Sequence, residues 1–238
     1  MQVRAIKARI FTEGEDLIPF IRTYIPTLVD GSILFVTSKI VALSENRTAP
    51  VADKTRLITQ ESEWAVPTKY AWLTIKDGTV MATAGIDESN ADGKLILLPK
   101  DSFTTADVLR KELLKVYTIK RLGVVITDSR VLPLRAGVTG VAVGYAGFKG
   151  VRDYRGSSDI FGRKLKMTQV NIADALATFG VLVMGEGDEQ SPLAIVKNAP
   201  VIFSQKVDRS ELKIDIKDDL YRPLFENLPK KYREYREY

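Results

Sequence analysis

Two short stretches of the sequence place an acidic side chain next to a hydroxyl or an amide. The octapeptide AGIDESNA carries Asp87 and Asn90 between the apolar stretches GTVMAT and KLILLP, and Asp128 and Ser129 directly follow the apolar run VVIT. A carboxylate beside a hydroxyl can hold Mg²⁺ on two oxygens, and an amide can bind a phosphate, a ribose or a base edge. Each pair could instead satisfy its own backbone in an Asx turn or a strand-ending turn.

A third polar stretch, MGEGDEQ, follows a long apolar segment. Gly185 and Gly187 could offer backbone N–H groups to a phosphate, with Glu186 between them as a metal ligand. A helix C-cap followed by an acidic loop is the alternative. Ser38 and Lys39 end another apolar run, where the lysine could neutralise a phosphate or simply be solvated.

The stretch RDYRGSSDIFGRKLKMTQ alternates basic and acidic residues. Arg152, Arg155 and Arg163 are interspersed with Asp153 and Asp159. Because guanidinium groups bind carboxylates and phosphates through paired hydrogen bonds, this stretch could bind an anionic substrate. It could equally form an internal lattice of ion pairs.

The composition limits the available chemistry. The 238 residues include neither Cys nor His, which excludes disulfides, thiolate nucleophiles, Ser-His-Asp triads and the usual zinc sites. Oxygen ligands select Mg²⁺ or Mn²⁺, so phosphate chemistry is favoured. The net charge of +5 indicates an anionic partner, either nucleic acid or a small substrate such as a nucleotide. The final KKYREYREY is expected to be a solvated tail or end helix.

Strands and helices follow one another irregularly, which predicts a mixed α/β (α+β) fold. Strands are expected at MQVRAIKARIF, ILFV, RLGVVITDS and LAIVKNAPVIF, and a hairpin at Asp77-Gly78. Helices are expected at EGEDLIPFIRTYI, SKIVALSE, LITQESEW, MTQVNIADALATFGVLVMGEG and TTADVLRKELLKVY, the last capped at Thr104 or Thr105. The glycine-rich GVTGVAVGYAGFKGV predicts a tightly packed strand pair.

The sequence also bounds the organisation of the chain. No apolar run reaches the roughly 18 residues that cross a bilayer, and the first residues lack the apolar centre of a signal peptide. We therefore expect a cytoplasmic protein with no membrane partner. A domain of two interlocked lobes is expected over 1–203, followed by a charged extension over 204–238. Neither a Walker A motif nor Gly-x-Gly-x-x-Gly after a strand is present.

Taken in order, AGIDESNA, LLPKDS, VVITDS, LRAGVTGVAVGYAG, DYRGSSDIFGRKLKMTQ and VLVMGEG resemble the coenzyme F420-0:gamma-glutamyl ligase family. The resemblance implies an entwined homodimer of mixed α/β fold. It also implies that L-glutamate is joined to a deazaflavin cofactor by an amide bond, with GTP and a divalent metal. It implies metal binding by Asp87, Asp128, Ser129 and Glu186, and nucleotide binding by Ser38, Asn90, Gly185 and Gly187.

The chemistry of amide formation agrees with this expectation. A nucleoside triphosphate can phosphorylate the acceptor carboxylate to an acyl phosphate, which the glutamate amine then attacks. From their charge, Lys39 and one or more of Arg135, Arg155 and Arg163 would offset the anions. Asp128, Arg135 and Arg163 are the residues expected to take part in catalysis.

Departures from the family pattern leave the substrates open. Leu43 stands where the family's SKAEGR has a nucleotide-contacting lysine, Ala175 replaces an acid, and VLPLR keeps only Pro133 and Arg135 of GRPWR. ATP could therefore replace GTP, and a folate-type acceptor could replace coenzyme F420-0. The alternative function is a non-catalytic protein that binds a nucleotide or nucleic acid, whereas a ligase is expected to have no nucleic-acid partner.

Overall fold

The computed structural model describes residues 1–225, so the terminal KKYREYREY lies outside the described residues. Its helices are α1 Leu17–Tyr24, α2 Ser38–Ser44, α3 Lys54–Glu61, α4 Ser102–Val116, α5 Ile172–Met184 and α6 Arg222–Phe225. Its strands are β1 Gln2–Ile6, β2 Ser32–Thr37, β3 Thr48–Pro50, β4 Trp64–Pro67, β5 Trp72–Lys76, β6 Thr79–Ala82, β7 Lys94–Ile96, β8 Leu122–Val131, β9 Val138–Ala146, β10 Val151–Asp153, β11 Gln169–Asn171 and β12 Leu193–Lys197. The mixed α/β class predicted from the sequence is confirmed.

The main sheet has five strands in the order β1-β12-β2-β8-β9. β2 and β8 are parallel, with Thr37 opposite Thr127, and the other neighbours are antiparallel. The apolar runs of β2 and β8 are buried on both sides, as central parallel strands require. Because the two strands run in the same direction, the polar residues that follow Thr37 and Thr127 emerge at one edge of the sheet.

Helices cover both faces of this sheet. On one face α1, α2 and α4 pack against a cluster that includes Leu34 and Ile126. On the other face α5 packs against a cluster that includes Phe35 and Val125. Successive residues of a strand point to opposite faces, so two buried clusters fix the register of β2 and β8.

α5 approaches β9 closely because β9 carries a glycine where the two meet. A Cβ at Gly140 would lie 2.5 Å from the carbonyl oxygen of Ala177. Gly140 is the partner of Ser129 in the β8–β9 register, so Ser129 lies on the α5 side of the sheet. The end of α5 is thereby brought to the polar end of β8.

The smaller sheets are β4-β5-β6, β3-β7 and β10-β11, and β6 packs beside β8. The octapeptide at 84–91 connects β6 to β7, and these two strands belong to different sheets. The backbone of Asp87 exchanges two hydrogen bonds with Ile96, of 2.9 and 2.8 Å. The octapeptide is therefore a loop pinned at its base and not the tip of a β6–β7 hairpin.

Two local predictions are wrong, and a third is correct only in part. α4 begins at Ser102 and not at Thr104 or Thr105, because the Asp101 carboxylate caps it by accepting a hydrogen bond from the Thr104 N–H. The segment GVTGVAVGYAGFKGV does not pair with itself, because β9 pairs with β8 and β10 pairs with β11. LITQESEW is helical only up to Glu61, since β4 begins at Trp64.

The segment after residue 203 packs onto the rest of the protein through contacts that we call the clamp. The Glu211 carboxylate accepts hydrogen bonds of 2.6 Å from both the Tyr145 hydroxyl and the Gly150 N–H. Arg209 forms an ion pair of 2.9 Å with Asp101. A domain boundary at residue 203 stays a prediction. Within residues 1–225, no helix is both long and apolar enough to cross a membrane.

Candidate functional site

Lys39 joins the start of α2 to the AGIDESNA loop. Its ammonium donates hydrogen bonds to Asp87 Oδ2 at 2.8 Å, to the Ser89 carbonyl at 2.6 Å and to Ser89 Oγ at 3.1 Å. Asp87 also accepts a hydrogen bond of 2.7 Å from the Ser89 N–H. Burial alone would raise the pKa of the Asp87 carboxyl, but the hydrogen bonds from Lys39 and Ser89 outweigh it and lower that pKa. This carboxylate is therefore ionised and held by a cation.

Asp128 meets Ser38 at the edge of the main sheet. Ser38 Oγ donates a hydrogen bond of 3.1 Å to Asp128 Oδ1, as the parallel pairing of Thr37 with Thr127 requires. Burial raises the pKa of the Asp128 carboxyl, although the positive charge of Arg130 lowers it. A bound cation would stabilise the ionised form of such a carboxylate.

The turn after α5 completes the arrangement. Ser129 donates a hydrogen bond to the Glu186 carboxylate, and Asn90 Nδ2 donates one of 3.0 Å to the Gly187 carbonyl. The side chains of Asp87 and Asn90 thus contact residues far away in the sequence. A local turn, in which these side chains would hydrogen-bond only to their own backbone, therefore does not account for Asp87 and Asn90.

These contacts form a closed circuit, which we call the polar ring. Lys39 binds Asp87, Ser38 binds Asp128, Ser129 binds Glu186, and Asn90 binds Gly187. Chain neighbours link one contact to the next, so that four stretches spread over 150 residues of sequence meet at one place. The ring consists of Ser38, Lys39, Asp87, Asn90, Asp128, Ser129, Glu186 and Gly187.

The acids and serines of the ring match the chemistry of a hard divalent cation, because they offer carboxylate and hydroxyl oxygens. Within residues 1–225, however, no three acidic side chains are close enough to one another to hold one ion. Lys39, Ser38 and Ser129 occupy the carboxylates of Asp87, Asp128 and Glu186. Binding one ion to all three would require the carboxylates to move closer together and Lys39 to leave Asp87.

The glycine turn at 185–187 has both of its predicted donors occupied. Gly185 has a φ of +81°, and its N–H donates to the Val181 carbonyl as the last bond of α5, at 2.9 Å. The Gly187 N–H donates to the Glu189 carboxylate at 2.8 Å. Glu189 therefore holds the position on Gly187 that a phosphate oxygen is predicted to take.

The predicted arginines lie outside the ring. Arg135 is exposed in the turn between β8 and β9, and Arg163 is exposed in the loop between β10 and β11. Arg155 forms an ion pair of 2.6 Å with Asp153, which agrees with the lattice alternative for that pair. In the described part of the chain, none of the three arginines makes a hydrogen bond or an ion pair with Asp128.

Comparison with known proteins identifies the family. The family model described as F420-0:Gamma-glutamyl ligase matches residues 49–198, which is more than half of the chain. The chain belongs to this family. The resemblance inferred from the motifs is thereby confirmed, and the matched segment contains Asp87, Asn90, Asp128, Ser129 and Glu186 of the polar ring. Ser38 and Lys39 precede the match.

Relatives named Coenzyme F420:L-glutamate ligase agree with the family assignment. The protein of Methanococcus maripaludis strain C6 is 43% identical over 147 residues, which are 62% of this chain and 58% of the relative. That of Methanocaldococcus jannaschii is 42% identical over 153 residues, 64% of this chain and 57% of the relative. That of Archaeoglobus fulgidus is 33% identical over 214 residues, 81% of this chain and 85% of the relative. The chain thus spans less than two thirds of the first two relatives.

Three residues near the ring of this family member were missed from the sequence. Ser89 lies in the same octapeptide as Asp87, and its role in holding Lys39 depends on a carbonyl that a sequence does not reveal. Glu189 follows the glycine turn, where it was read as part of an acidic loop. Arg130 follows Asp128 by two residues, and that spacing in a strand was an available signal that both side chains share a face.

Proposed function

We propose that the protein is a nucleotide- and divalent-metal-dependent γ-glutamyl ligase that joins L-glutamate to the carboxylate of coenzyme F420-0. The observation that carries the proposal is the polar ring, which joins three stretches of the segment matched by the γ-glutamyl ligase family to the start of α2. The name of the relatives, Coenzyme F420:L-glutamate ligase, supplies the two substrates.

The reaction proceeds in two steps, phosphorylation of the acceptor carboxylate and formation of the amide. An oxygen of the acceptor carboxylate attacks the terminal phosphorus of GTP, so that the bond to the bridging oxygen breaks and GDP leaves with an acyl phosphate formed. The amine of L-glutamate then attacks the acyl carbon, inorganic phosphate leaves, and the nitrogen loses a proton as the amide forms. Both steps develop negative charge on phosphate oxygens, which a protein stabilises with fixed cations and N–H donors.

The ring residues divide these tasks. Asp87, Asp128, Ser129 and Glu186 would hold Mg²⁺ or Mn²⁺, which supplies charge stabilisation for the transferring phosphoryl group. Lys39, once released from Asp87, would contact the phosphates. Asn90 and Ser38 would contact the nucleotide. Gly187 would offer its N–H to a phosphate after Glu189 moves away.

A homodimer is part of the proposal. The end of the β8–β9 hairpin exposes apolar side chains, and Leu134 at its tip is fully exposed. In the loop between β10 and β11, Ile160 is 91% exposed and Phe161 is 89% exposed. Apolar surface of this kind favours burial against a second copy, which would also bring Arg135 and Arg163 into an interface. Light scattering on a size-exclusion column should give twice the chain mass, and Leu134→Glu should shift it toward the monomer.

The test of the ligase function combines the protein with GTP, Mn²⁺, L-glutamate and coenzyme F420-0, and follows both products. Mass spectrometry should find the acceptor heavier by one glutamyl residue, and phosphate release should require L-glutamate. Parallel reactions with ATP, with Mg²⁺ and with a folate acceptor define the preferred substrates. Nucleotide binding without glutamate-dependent phosphate release would instead support the non-catalytic alternative.

A further inference from the structure

Arg130 lies beside the polar ring but takes no part in it. It belongs to β8, two residues after Asp128, and pairs with Thr139 across the ladder. Alternate residues of a strand share a face, so Arg130 and Asp128 project on the same side of the sheet, with Cα atoms roughly 7 Å apart. Ser129 projects on the opposite side, toward Glu186.

The guanidinium of Arg130 has no partner among residues 1–225. The residue is half-buried, its Nε atom is fully buried, and neither a hydrogen bond nor an ion pair reaches the side chain from the described part of the chain. A buried N–H donor without an acceptor is costly, because the Nε group loses its water and gains no hydrogen bond in exchange. The geometry points to a missing anion.

The other buried arginine of the fold shows what a structural role looks like. Arg110 is 3% exposed. Its Nε donates to the Leu122 carbonyl and its Nη2 donates to Gln205, both at 2.9 Å. Arg110 is complete without a ligand, whereas Arg130 is not.

Two of the three carboxylates near Arg130 are hydrogen-bonded to other groups. Burial lowers the pKa of the Arg130 guanidinium, and the negative charges of Asp128, Asp174 and Asp77 oppose that shift. Asp128, however, accepts a hydrogen bond from Ser38. Asp174 accepts from the Ala142 N–H at 2.8 Å and from Asn171 Nδ2 at 2.7 Å. None of the three acids accepts a hydrogen bond from Arg130 within residues 1–225.

We propose that Arg130 binds a carboxylate of one of the two acid substrates beside Asp128. This inference rests on the proposed ligase function, in which both L-glutamate and the acceptor carry carboxylates. The planar fork of an arginine matches a carboxylate through two parallel hydrogen bonds. In the proposed function, Lys39 and the Gly187 N–H bind the phosphate groups once Asp87 and Glu189 release them. Arg130, further along β8, is then left for the substrate carboxylate.

The test measures the binding of L-glutamate, coenzyme F420-0 and GTP with Mn²⁺ separately by calorimetry. The proteins are the wild type, Arg130→Met, Arg130→Lys and the control Arg56→Met. Arg56 is exposed on α3 and pairs with Asp53, which precedes that helix. Arg130→Met should weaken one acid substrate about 10- to 100-fold, as expected for a shielded charged hydrogen bond. The substrate affected identifies the source of the carboxylate. Arg130→Lys should recover part of the loss, and GTP binding should stay unchanged.

Each outcome decides something. Equal binding of both acid substrates by the wild type and Arg130→Met would overturn the inference and leave the ligase function standing. A loss confined to GTP would also overturn it, since the anion would then be a phosphate. Wild-type protein that binds neither acid would defeat the ligase function itself. If Arg130→Met does not fold, Arg130→Lys decides, because the lysine keeps the charge but not the fork, and unchanged binding by that variant overturns the inference.

Discussion

The polar ring and the clamp both tie distant segments together, but only the clamp is complete in itself. In the clamp, Glu211 receives two hydrogen bonds from Tyr145 and Gly150, and Arg209 pairs with Asp101. In the ring, the Lys39 ammonium contacts only Asp87 of the three carboxylates, and the nearby guanidinium of Arg130 has no partner within the described residues. A network that satisfies itself stabilises a fold, while one left unbalanced indicates a ligand.

The largest effect is expected from a substitution within the polar ring. Asp128→Asn should lower ligase turnover about 10²–10³-fold, the usual cost of removing one preorganised charge contact from an active site. The melting temperature at pH 7 should not fall, because burial raises the pKa of the Asp128 carboxyl and so makes its ionised form unfavourable in the fold. Steady-state phosphate release and thermal melting measure the two effects.

The matched control for this variant is Asp107→Asn. Asp107 pairs with Lys111 on the exposed side of α4, and its loss should leave turnover unchanged. Normal turnover in Asp128→Asn, or equal losses in both variants, would contradict the assignment of the ring as the active site.

The clamp should respond in the opposite way. Glu211→Ala leaves the buried Tyr145 hydroxyl and the Gly150 N–H without their acceptor, which should lower the free energy of unfolding by about 2–4 kcal/mol. Glu211→Gln keeps an acceptor oxygen and should lose less. Denaturant titration measures the stability, and turnover per folded molecule should stay close to that of the wild type. If Glu211→Ala kept its stability but lost turnover, the clamp would be part of the functional site and not a structural contact.

Lys39 tests whether the ring can release a carboxylate to a metal. Lys39→Met should bind Mn²⁺ about fivefold more tightly without nucleotide, because it removes an ion pair of roughly 1 kcal/mol from Asp87. The control is Lys54→Met, whose ammonium pairs with Glu88, the next residue of the loop. Electron paramagnetic resonance of free Mn²⁺ reports the affinity. Unaltered affinity in Lys39→Met would mean that Asp87 is not a metal ligand.

The smallest effect concerns pH and the clamp. Burial alone would raise the pKa of the Asp101 carboxyl, but hydrogen bonds from Thr104 and Arg209 outweigh it and lower that pKa. An acid whose pKa is lower in the folded protein than in the unfolded protein stabilises the fold at pH values above the unfolded-state pKa, which is about 3.9 for Asp. This contribution is lost as the pH falls through the folded-state pKa. Asp101→Asn should therefore be less stable than the wild type at pH 7, with the difference shrinking below about pH 4. Melting temperatures of both proteins across this pH range measure the difference. A difference that stays constant with pH would show that the Asp101 carboxylate is not its cause.

Local pattern predicted the elements better than their arrangement. The apolar runs of β2 and β8 and the helical spacing of α1 are visible in the sequence, because each depends on neighbouring residues. The insertion of β12 between β1 and β2 depends on pairing over more than 150 residues. The glycines of β9 were read as a strand pair, whereas Gly140 serves the approach of α5.

For the site as well, the sequence predicted individual residues better than their contacts. Motif order brought Asp87, Asp128 and Glu186 to attention, but their contacts with Lys39, Ser38 and Ser129 depend on how separate segments meet. Charge alone suggested Arg135 and Arg163, which the structure leaves exposed. Arg130 was overlooked because its type is common and only burial without a partner distinguishes it.

The most direct test of the account is a crystal structure with GTP and Mn²⁺, read through the anomalous scattering of manganese. The account predicts a manganese peak about 2 Å from carboxylate oxygens of Asp87 and Asp128, with the Lys39 ammonium moved from Asp87 to the phosphates. A peak at another place in the protein, with Lys39 still on Asp87, would contradict it.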